Sequence, residues 1–263
     1  YSAGASTVIL PHVMGPFENL SRRNVTWDQV RTHTETVLAF GGMPIKNSMI
    51  ASGGISRHVE PTSMEAAVAR GTRFISISPL RDDFPPQANA RWVPIRPGTD
   101  VAVMLAMAHT LLAEDLCDHA FLDRYTTGFD IFARYLRGDA DGQPKHAEWA
   151  GALSGIGADT IRDIARLLVR TRSLITVAHA LQRAQYGEQP VWMAAVLAAM
   201  VGQIGLPGGG YNYALGAMGH TGRRINAVPI PTMPQGKNPV SEFIPVARIV
   251  DMLLNPGAPF AYN

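Results

Sequence analysis

The sequence of 263 residues contains a single cysteine, Cys117. A disulfide within the chain, an iron–sulfur cluster and an all-cysteine zinc site each need several cysteines, so all three are excluded for this segment. Cys117 follows Leu116 in an apolar stretch that favours a helix, and we expect its thiol to be buried and unreactive. No redox centre can be built from the cysteines of this segment alone.

Charged residues are also scarce, at 17% of the sequence, and the net charge is +2. The densest basic pairs, Arg22-Arg23 and Arg223-Arg224, are too short to indicate a nucleic-acid surface. No run of 18 apolar residues is present, so the sequence contains no typical membrane-spanning segment. With 46% hydrophobic residues, the chain can bury a large core in one domain or in two smaller ones.

The sequence lacks a starting methionine and begins with YSAGAST ahead of the apolar residues Val8-Ile9-Leu10. No polar tail is present at the other end, where the last residues are FAYN. We therefore expect the sequence to be an internal segment of a longer protein. An export signal would lie upstream of such a segment, so the sequence alone does not fix the compartment.

Short apolar runs rich in β-favouring residues predict buried strands at residues 36–40, 73–78 and 173–177. Strands that alternate with helices predict an α/β fold, a Rossmann-like parallel sheet with helices on both faces. Residues 205–240, rich in Gly, Pro and Asn, predict a long ordered loop. The predicted helices are residues 62–70, with a capping-box pattern at Thr62 to Glu65 and a stop at Gly71, then 99–108, 159–169, 189–201 and 246–254.

In parallel α/β sheets, ligands bind beyond the carboxyl ends of the strands. This rule selects the loops that follow the predicted strands, residues 41–47, 78–83 and 179–189. The pattern is not the G-x-G-x-x-G fingerprint, so ordinary NAD binding is not supported. The side chains suited to a phosphate or a purine edge are Lys46, Asn47, Arg81, Gln182, Arg183 and Gln189.

Each of these features also has an interpretation without a ligand. Gly41-Gly42, taken alone, is more typical of a tight turn, and Arg81-Asp82 is equally typical of a local ion pair. Gly208-Gly209-Gly210 is typical of a helix terminus followed by a flexible loop. The eight histidines show no metal-ligand spacing, and no Ser-His-Asp order or carboxylate pair stands out. From the residues alone, we predict an α/β domain with a nucleotide-like ligand.

Several stretches together resemble one enzyme family. YSAGA at residues 1–5 and LPHVMG at 10–15 are similar to the active-site segment of the dimethyl sulfoxide reductase family, in its biotin sulfoxide, trimethylamine N-oxide and dimethyl sulfoxide reductase branch. QRAQYGEQ at 182–189 resembles the branch's Q-R-x-x-H-G-E-Q signature, and LAAMVGQIGLPGGG at 197–210 resembles its long helix and glycine terminus. The likeness continues through TDVAVMLAMAHTL, FLDRYTTGFD and ARIVDMLLNPG, so it covers essentially the whole segment.

The resemblance implies molybdenum bound by a bis(molybdopterin guanine dinucleotide) cofactor. The serine of the family's Y-S-x-G segment is the protein ligand of the metal, so Ser2 is the catalytic and metal-ligating candidate. High-valent molybdenum is a hard ion, and a deprotonated hydroxyl is a harder donor than a thiolate. Without the resemblance, Ser2 would be interpreted as the end of a loop.

The loops after the strands correspond to segments that bind one of the two dinucleotides in this family. Gln182, Arg183 and the Tyr186-Gly187 turn are expected nearer the pterin and the metal. The residues expected to contact the guanosine and diphosphate, with Gly42 in the first loop, are Lys46, Asn47, Ser78, Pro79, Arg81 and Asp100. Gly208 and Gly209 either let the backbone approach the cofactor or simply turn the chain. The sequence departs from the family's pattern at Met43, Ser78, Gly98, His179, Ala180 and Tyr186.

The implied reaction is the reduction of an S-oxide or N-oxide by oxygen-atom transfer, which consumes two electrons and two protons and releases water. An external electron donor, a cytochrome or a reductase protein, is the implied partner, and the isolated segment is expected to be inactive. The resemblance favours anaerobic respiration in the bacterial periplasm, with the cytoplasm as the alternative. It assigns residues 1–34 to an active-site segment of a neighbouring domain, 35–215 to a Rossmann-like dinucleotide-cofactor domain, and 216–263 to a loop and helix that return to the neighbouring domain.

Rival interpretations remain open at this point. The chain could be a non-catalytic subunit that has kept the fold and lost the metal, or a plain nucleotide-binding module. It could also belong to another kind of molybdenum enzyme, although nitrate reductases and formate dehydrogenases favour Asp, Cys or selenocysteine where Ser2 stands. Metal content distinguishes the first two interpretations from an enzyme.

Overall fold

The computed structural model describes residues 3–22, 24–51, 54–223, 231–242, 244 and 248–259. The chain divides into two compact units, Tyr1–Ile225 and Asn226–Asn263. The described helix of the second unit is α12, Ile249–Leu254. The helices of the first unit are α1 Gly4–Val13, α2 Phe17–Arg22, α3 Trp27–His33, α4 Ile45–Ser48, α5 Glu60–Arg70, α6 Asp100–Ala113, α7 His119–Tyr125, α8 Phe129–Arg137, α9 Ala147–Ser154, α10 Ala158–Arg170 and α11 Glu188–Met200.

The main sheet is formed by β1 Thr36–Phe40, β4 Arg73–Ile77, β5 Arg91–Val93, β6 Ser173–Val177 and β7 Gly210–Tyr213. It is parallel throughout, and its strands lie in the order β5, β4, β1, β6, β7. A small antiparallel pair is formed by β2, Ile50–Ala51, and β3, Gly54–Ile55. In the register, Thr36 lies between Arg73 and Ser173. The predicted α/β fold with a parallel sheet is therefore confirmed, with the second predicted strand ending one residue early.

Both faces of the sheet are buried. On one face, Leu38 and Ile75 belong to a core formed with α6, α9, α10 and α11. On the other face, Val37 and Phe74 pack with residues of α3 and α5. Successive residues of a strand point to opposite faces, so a strand covered on both sides reads as a continuous apolar run. This is why β1 and β6 could be recognised from the sequence, and why helices on both faces could be expected.

The start of helix α5 differs from the predicted one. The capping box expected at Thr62 is wrong, because α5 already begins at Glu60 and the Thr62 hydroxyl donates to the Val59 carbonyl oxygen (3.1 Å). A capping box is instead present at α3, where Thr26 and Gln29 each accept a backbone N–H of the other. The stop at Gly71 is confirmed by its left-handed φ of 103°, which favours glycine.

Part of the predicted loop at residues 205–240 is wrong, because β7 pairs with β6 inside it, with Leu174 opposite Gly210. Strand β7 is only four residues long and opens on a glycine with a φ of 84°, so its sequence has the composition of a turn. Residues 224–230 lie outside the described residues. The division of the chain at residues 34 and 215 stays a prediction.

Candidate functional site

A cleft of about 760 Å³ opens at the carboxyl edge of the sheet, beyond β1, β4 and β6. The chain leaves β1 toward β4 on one side and later returns to β6 on the other, so the cleft lies at the topological switch point of the sheet. This is where open α/β sheets bind ligands. The predicted site residues that line the cleft are Gly42, Lys46, Asn47, Ser78, Pro79, Asp100 and Arg183.

The first wall of the cleft depends on the Gly41-Gly42 pair. Gly41 has a φ of 81°, and its N–H donates to the Ile77 carbonyl oxygen (2.8 Å). A Cβ on Gly42 would overlap the Cβ and the carbonyl oxygen of Asp83, and the neighbouring Met43 N–H donates to that same oxygen (2.8 Å). Glycine is therefore required here because the loops after β1 and β4 pack directly against each other.

Ser78 is held in place on all sides. It is fully buried, its hydroxyl donates to the Asp83 carboxylate, and its carbonyl oxygen accepts the indole N–H of Trp92 (2.9 Å). The Leu80 N–H donates to the Ser78 hydroxyl oxygen (3.3 Å). Asp83 also lines the cleft, although sequence reasoning did not select it as a site residue. The only indication in the sequence was that Asp83 is the last residue of the loop 78–83.

The cleft lining carries charges of both signs, because the carboxyl groups of Asp83 and Asp100 lie there together with two cations. Lys46 and Arg183 bring cations to its lining, from the loops after β1 and β6. Burial raises the pKa of Asp100 to about 6, opposed by its own backbone N–H, so this carboxyl loses much of its charge just below neutral pH. Burial also lowers the pKa of His179 to about 4, with smaller contributions from the charges of Arg183 and His220. His179 is therefore neutral at physiological pH.

Gln182 is buried outside the cleft lining and joins α1 to the loop after β6. Its side-chain oxygen accepts the backbone N–H of Ser6 (3.0 Å) and the Ser6 hydroxyl (2.7 Å). The Ser6 hydroxyl also lies 2.6 Å from the Tyr213 hydroxyl, which in turn lies 2.9 Å from Nδ1 of His179. Burial raises the pKa of Tyr213 to about 12, so its phenol stays protonated. Ser6 and Tyr213 were missed because they are distant in sequence from Gln182 and no local pattern connects them.

The other predicted site residues that the structure describes lie outside the cleft lining. Arg81 lines a separate recess with Ser76, and no ion pair joins it to Asp82 in the described part of the chain. Tyr186 is exposed at 63% and has a φ of 59°. A Cβ on the neighbouring Gly187 would overlap the Gln182 carbonyl oxygen, so glycine closes this turn for packing reasons. Their roles in cofactor binding remain predictions.

Gly208 and Gly209 precede β7 and therefore lie at the amino edge of the sheet, opposite the cleft. There the Thr34 hydroxyl donates to the Gly208 carbonyl oxygen (2.5 Å). The structure does not bring these glycines together with the cleft residues, which favours the interpretation in which they turn the chain. Ser2, the metal-ligating candidate, lies outside the described residues.

Three further observations concern the described residues. No group of three His, Cys, Asp or Glu side chains among them is arranged to hold a metal ion. None of their helices combines the length and the apolar character that crossing a membrane requires. Cys117 is half-buried rather than fully buried, and burial, followed by the charge of Asp115, raises its pKa to about 11.

Residues 25–253 match the family model described as molybdopterin oxidoreductase. Over its whole length, the chain is 45% identical to a biotin sulfoxide reductase of Cereibacter sphaeroides, of which it covers 35%. It is 41% identical to a dimethyl sulfoxide/trimethylamine N-oxide reductase of Rhodobacter capsulatus and 36% identical to a trimethylamine-N-oxide reductase of Haemophilus influenzae, again over its whole length and 33% of each relative. The chain thus spans about a third of the length of these curated relatives.

Among solved structures, acetylene hydratase from Pelobacter acetylenicus matches with a TM-score of 0.58 over 78% of this chain and 25% of that chain. The sequence identity is 20%, so this likeness supports the fold alone. The family model, in contrast, covers most of the chain, and the curated relatives agree with it along the full sequence. The chain belongs to the molybdopterin oxidoreductase family, whose cofactor is molybdenum bound by molybdopterin.

Proposed function

We propose that this chain is part of a molybdenum enzyme that reduces an S-oxide or an N-oxide, and that its cleft holds one guanine dinucleotide of a bis(molybdopterin guanine dinucleotide) cofactor. The relatives named above are reductases of biotin sulfoxide, dimethyl sulfoxide and trimethylamine N-oxide. Because the chain spans about a third of their length, the activity belongs to a longer polypeptide of which this chain is one segment.

The residues of the cleft fit a dinucleotide. A diphosphate needs cationic partners, which Lys46 and Arg183 supply at the cleft lining, and Asn47 adds an amide that can donate and accept hydrogen bonds. The volume of about 760 Å³ lies within the range of about 300–1,000 Å³ found for ligand pockets. His179 and Ala180 form a neutral part of the wall, and the Asp83 carboxylate in the lining accepts the Ser78 hydroxyl. These cations at the switch point are the observation that carries the proposal.

When bound, such a cofactor supplies a metal that gains and loses two electrons, which is the chemistry that oxygen-atom transfer requires. The chain's own residues would bind and orient it, with Lys46 and Arg183 holding phosphate at the cleft lining. Ser2 is proposed as the protein ligand of the metal. The electron donor is proposed to be another protein, and the bacterial periplasm is the proposed compartment.

The test is the content of molybdenum and of guanine nucleotide in the complete protein that contains this chain. We expect about one molybdenum and two guanines per chain, together with turnover of at least one S-oxide or N-oxide. Guanine nucleotide without molybdenum would favour a plain nucleotide-binding module. Neither molybdenum nor turnover, in a host that loads related enzymes, would favour a non-catalytic subunit.

Substitution of Arg183 then tests whether this cleft is the binding site. Arg183→Gln should retain less cofactor after gel filtration at moderate salt, because one cation facing the phosphates is lost. Arg170→Gln is the matched control, since Arg170 ends α10 at the amino edge of the sheet and is exposed. Equal cofactor retention by both variants would show that the cleft does not hold the phosphates.

A further inference from the structure

We infer that Gln182 is a positioning residue, which fixes the first turn of α1 and acts through it on the metal that Ser2, two residues before the helix in the sequence, is proposed to bind. The inference rests on the proposed function insofar as Ser2 is the metal ligand. Gln182 was expected from the sequence to contact the cofactor near the pterin. That contact stays a prediction, and the structure adds that the Gln182 side-chain oxygen accepts two hydrogen bonds from Ser6, the third residue of α1.

The start of α1 needs a partner from elsewhere in the fold. The first N–H groups of a helix have no acceptor within the helix itself, and a side chain at the N-cap commonly supplies one. Here the N-cap is Ala3, which has no oxygen in its side chain, and no side-chain cap bond is present. Gln182 provides the acceptor from a loop that lies 176 residues further along the chain. The helix start is thus held by tertiary structure rather than by its own sequence.

The contact is buried and reinforced. Ser6 is fully buried and Gln182 is 5% exposed, so water cannot readily replace the bonds between them. The Ser6 hydroxyl also lies within hydrogen-bond distance of Tyr213, at the end of β7. Tyr213 in turn reaches Nδ1 of His179 in the cleft wall (2.9 Å). The helix start is therefore connected to the ends of two strands, β6 and β7, at the carboxyl edge.

Gln182 itself has little freedom to move. The turn after it closes so tightly that a Cβ on Gly187 would overlap the Gln182 carbonyl oxygen. The Gly187 N–H donates to the Ala184 carbonyl oxygen (3.1 Å), immediately before α11 begins at Glu188. A fixed acceptor imposes its position on its donor, so the first turn of α1 follows the loop after β6. Ser2 precedes α1 by two residues in the sequence, which leaves little chain to absorb a shift of the helix start.

The first experiment measures the helix start directly, in the complete protein prepared without cofactor. Gln182→Met removes the acceptor and keeps the length of the side chain, whereas Gln182→Glu keeps an oxygen at the same place. Gln185→Met is the matched control, because Gln185 is exposed on the same loop. We expect amide hydrogen exchange in peptides covering residues 3–10 to be about tenfold faster in Gln182→Met alone. Unchanged exchange in Gln182→Met overturns the inference.

A folding defect would be visible as a lower Tm and as faster exchange in β1, far from the contact in sequence. If Gln182→Met does not accumulate as folded protein, Ser6→Ala and Tyr213→Phe test the same connection by removing one hydroxyl each. Faster exchange confined to residues 3–10 in either variant supports the inference. Unchanged exchange at residues 3–10 in both variants overturns it.

The second experiment asks whether the helix start matters for the metal. In the complete protein loaded with cofactor, the Mo(V) electron paramagnetic resonance spectrum of Gln182→Met should differ from that of the wild type, and the spectrum of Gln182→Glu should match it. In Gln182→Met, we also expect kcat to fall by a larger factor than KM changes. A wild-type spectrum in Gln182→Met overturns the link between α1 and the metal. A wild-type protein without molybdenum refutes the proposed function instead, and the exchange experiment then still decides whether Gln182 holds α1.

Discussion

The imidazole of His179 is an uncharged part of the cleft wall, and this gives the protein a predictable sensitivity to acid. Its pKa is lowered from 6.5 to about 4, first by burial and then by Arg183 and His220. Above about pH 7 the folded and unfolded states are both neutral at this residue, so it has no effect on the pH dependence. As the pH falls from about 6.5 to 4, the unfolded state binds a proton that the folded state does not, and stability is lost.

We therefore predict that His179→Asn makes the free energy of unfolding less sensitive to acid between pH 6.5 and 4. Asparagine keeps a polar atom near the position of Nδ1 and so can still meet the Tyr213 hydroxyl, but it does not titrate. Urea unfolding of the complete protein at several pH values measures the effect. His33→Asn, at an exposed position in α3, is the control. An equal acid dependence of the wild type and His179→Asn would contradict the prediction.

Cys117 offers a second prediction for a single residue. Burial, followed by the charge of Asp115, raises the pKa of its thiol from 9.0 to about 11, so at pH 8 the thiolate is about a hundredfold scarcer than at an ordinary cysteine. Because the thiolate is the nucleophile, we predict that iodoacetamide alkylates Cys117 about a hundredfold more slowly in the folded protein than in urea. Peptide mass spectrometry measures both rates. Similar rates would mean that the Cys117 thiol is accessible and that its pKa is not raised, despite its half-buried position.

Individual residues show clearly what the sequence could and could not reveal. Lys46 and Arg183, which the sequence places in two separate loops, both line the cleft, because the ends of parallel strands meet at one edge whatever their separation in sequence. Ser6 was not selected, because its function depends on a hydrogen bond to Gln182 that only the folded chain brings together. Gly42 lines the cleft as expected, but it is glycine because of Asp83, a neighbour that no local motif identifies.

At the scale of the elements, the connection between β1 and α4 requires glycine at position 42. A Cβ on Gly42 would overlap Asp83, whose carbonyl oxygen is fixed by the Met43 N–H. We predict that Gly42→Ala lowers the free energy of unfolding by about 1–3 kcal/mol, the usual cost of overpacking, and loosens the cleft wall. Urea denaturation of the complete protein measures the change.

Gly157→Ala is the control for this substitution, because the Cβ would meet only the Thr160 hydroxyl at 4.0 Å. Gly157 is the N-cap of α10, where exchange for alanine costs about 1 kcal/mol or less. A Gly42→Ala variant no less stable than Gly157→Ala would show that the loops after β1 and β4 can separate without cost.

The elements that sequence patterns predicted well are those whose residues are buried by their immediate neighbours. Strands β1 and β6 are buried along their whole length, and α10 places Ile161, Ile164 and Leu168 on one face. Strand β7 was missed because four residues with a leading glycine carry too little β-favouring signal. It forms because β6 offers an unpaired edge, which is a property of the sheet and not of the segment.

For the whole molecule, the fold class followed from the alternation of strands and helices, while the extent of the site did not. The cleft and both hydrophobic cores belong to the first unit, Tyr1–Ile225. Sequence order does not show which end of a strand a residue occupies, so two roles stayed open for some glycines, contact with the cofactor or a turn of the chain. Gly208 and Gly209, at the amino edge, are the clearest example.

A comparison of the two edges gives the last prediction. We expect cofactor binding to slow amide hydrogen exchange in the loops at residues 41–47, 78–83 and 178–187, because a ligand that binds only the closed loops stabilises them by mass action. Residues 206–209, at the opposite edge, should exchange at the same rate with and without cofactor, as should α5. The measurement compares complete protein from hosts that can and cannot make molybdopterin. Slower exchange at residues 206–209 would show that Gly208 and Gly209 belong to the binding site. Unchanged exchange at residues 41–47 would show that the cleft does not bind the cofactor.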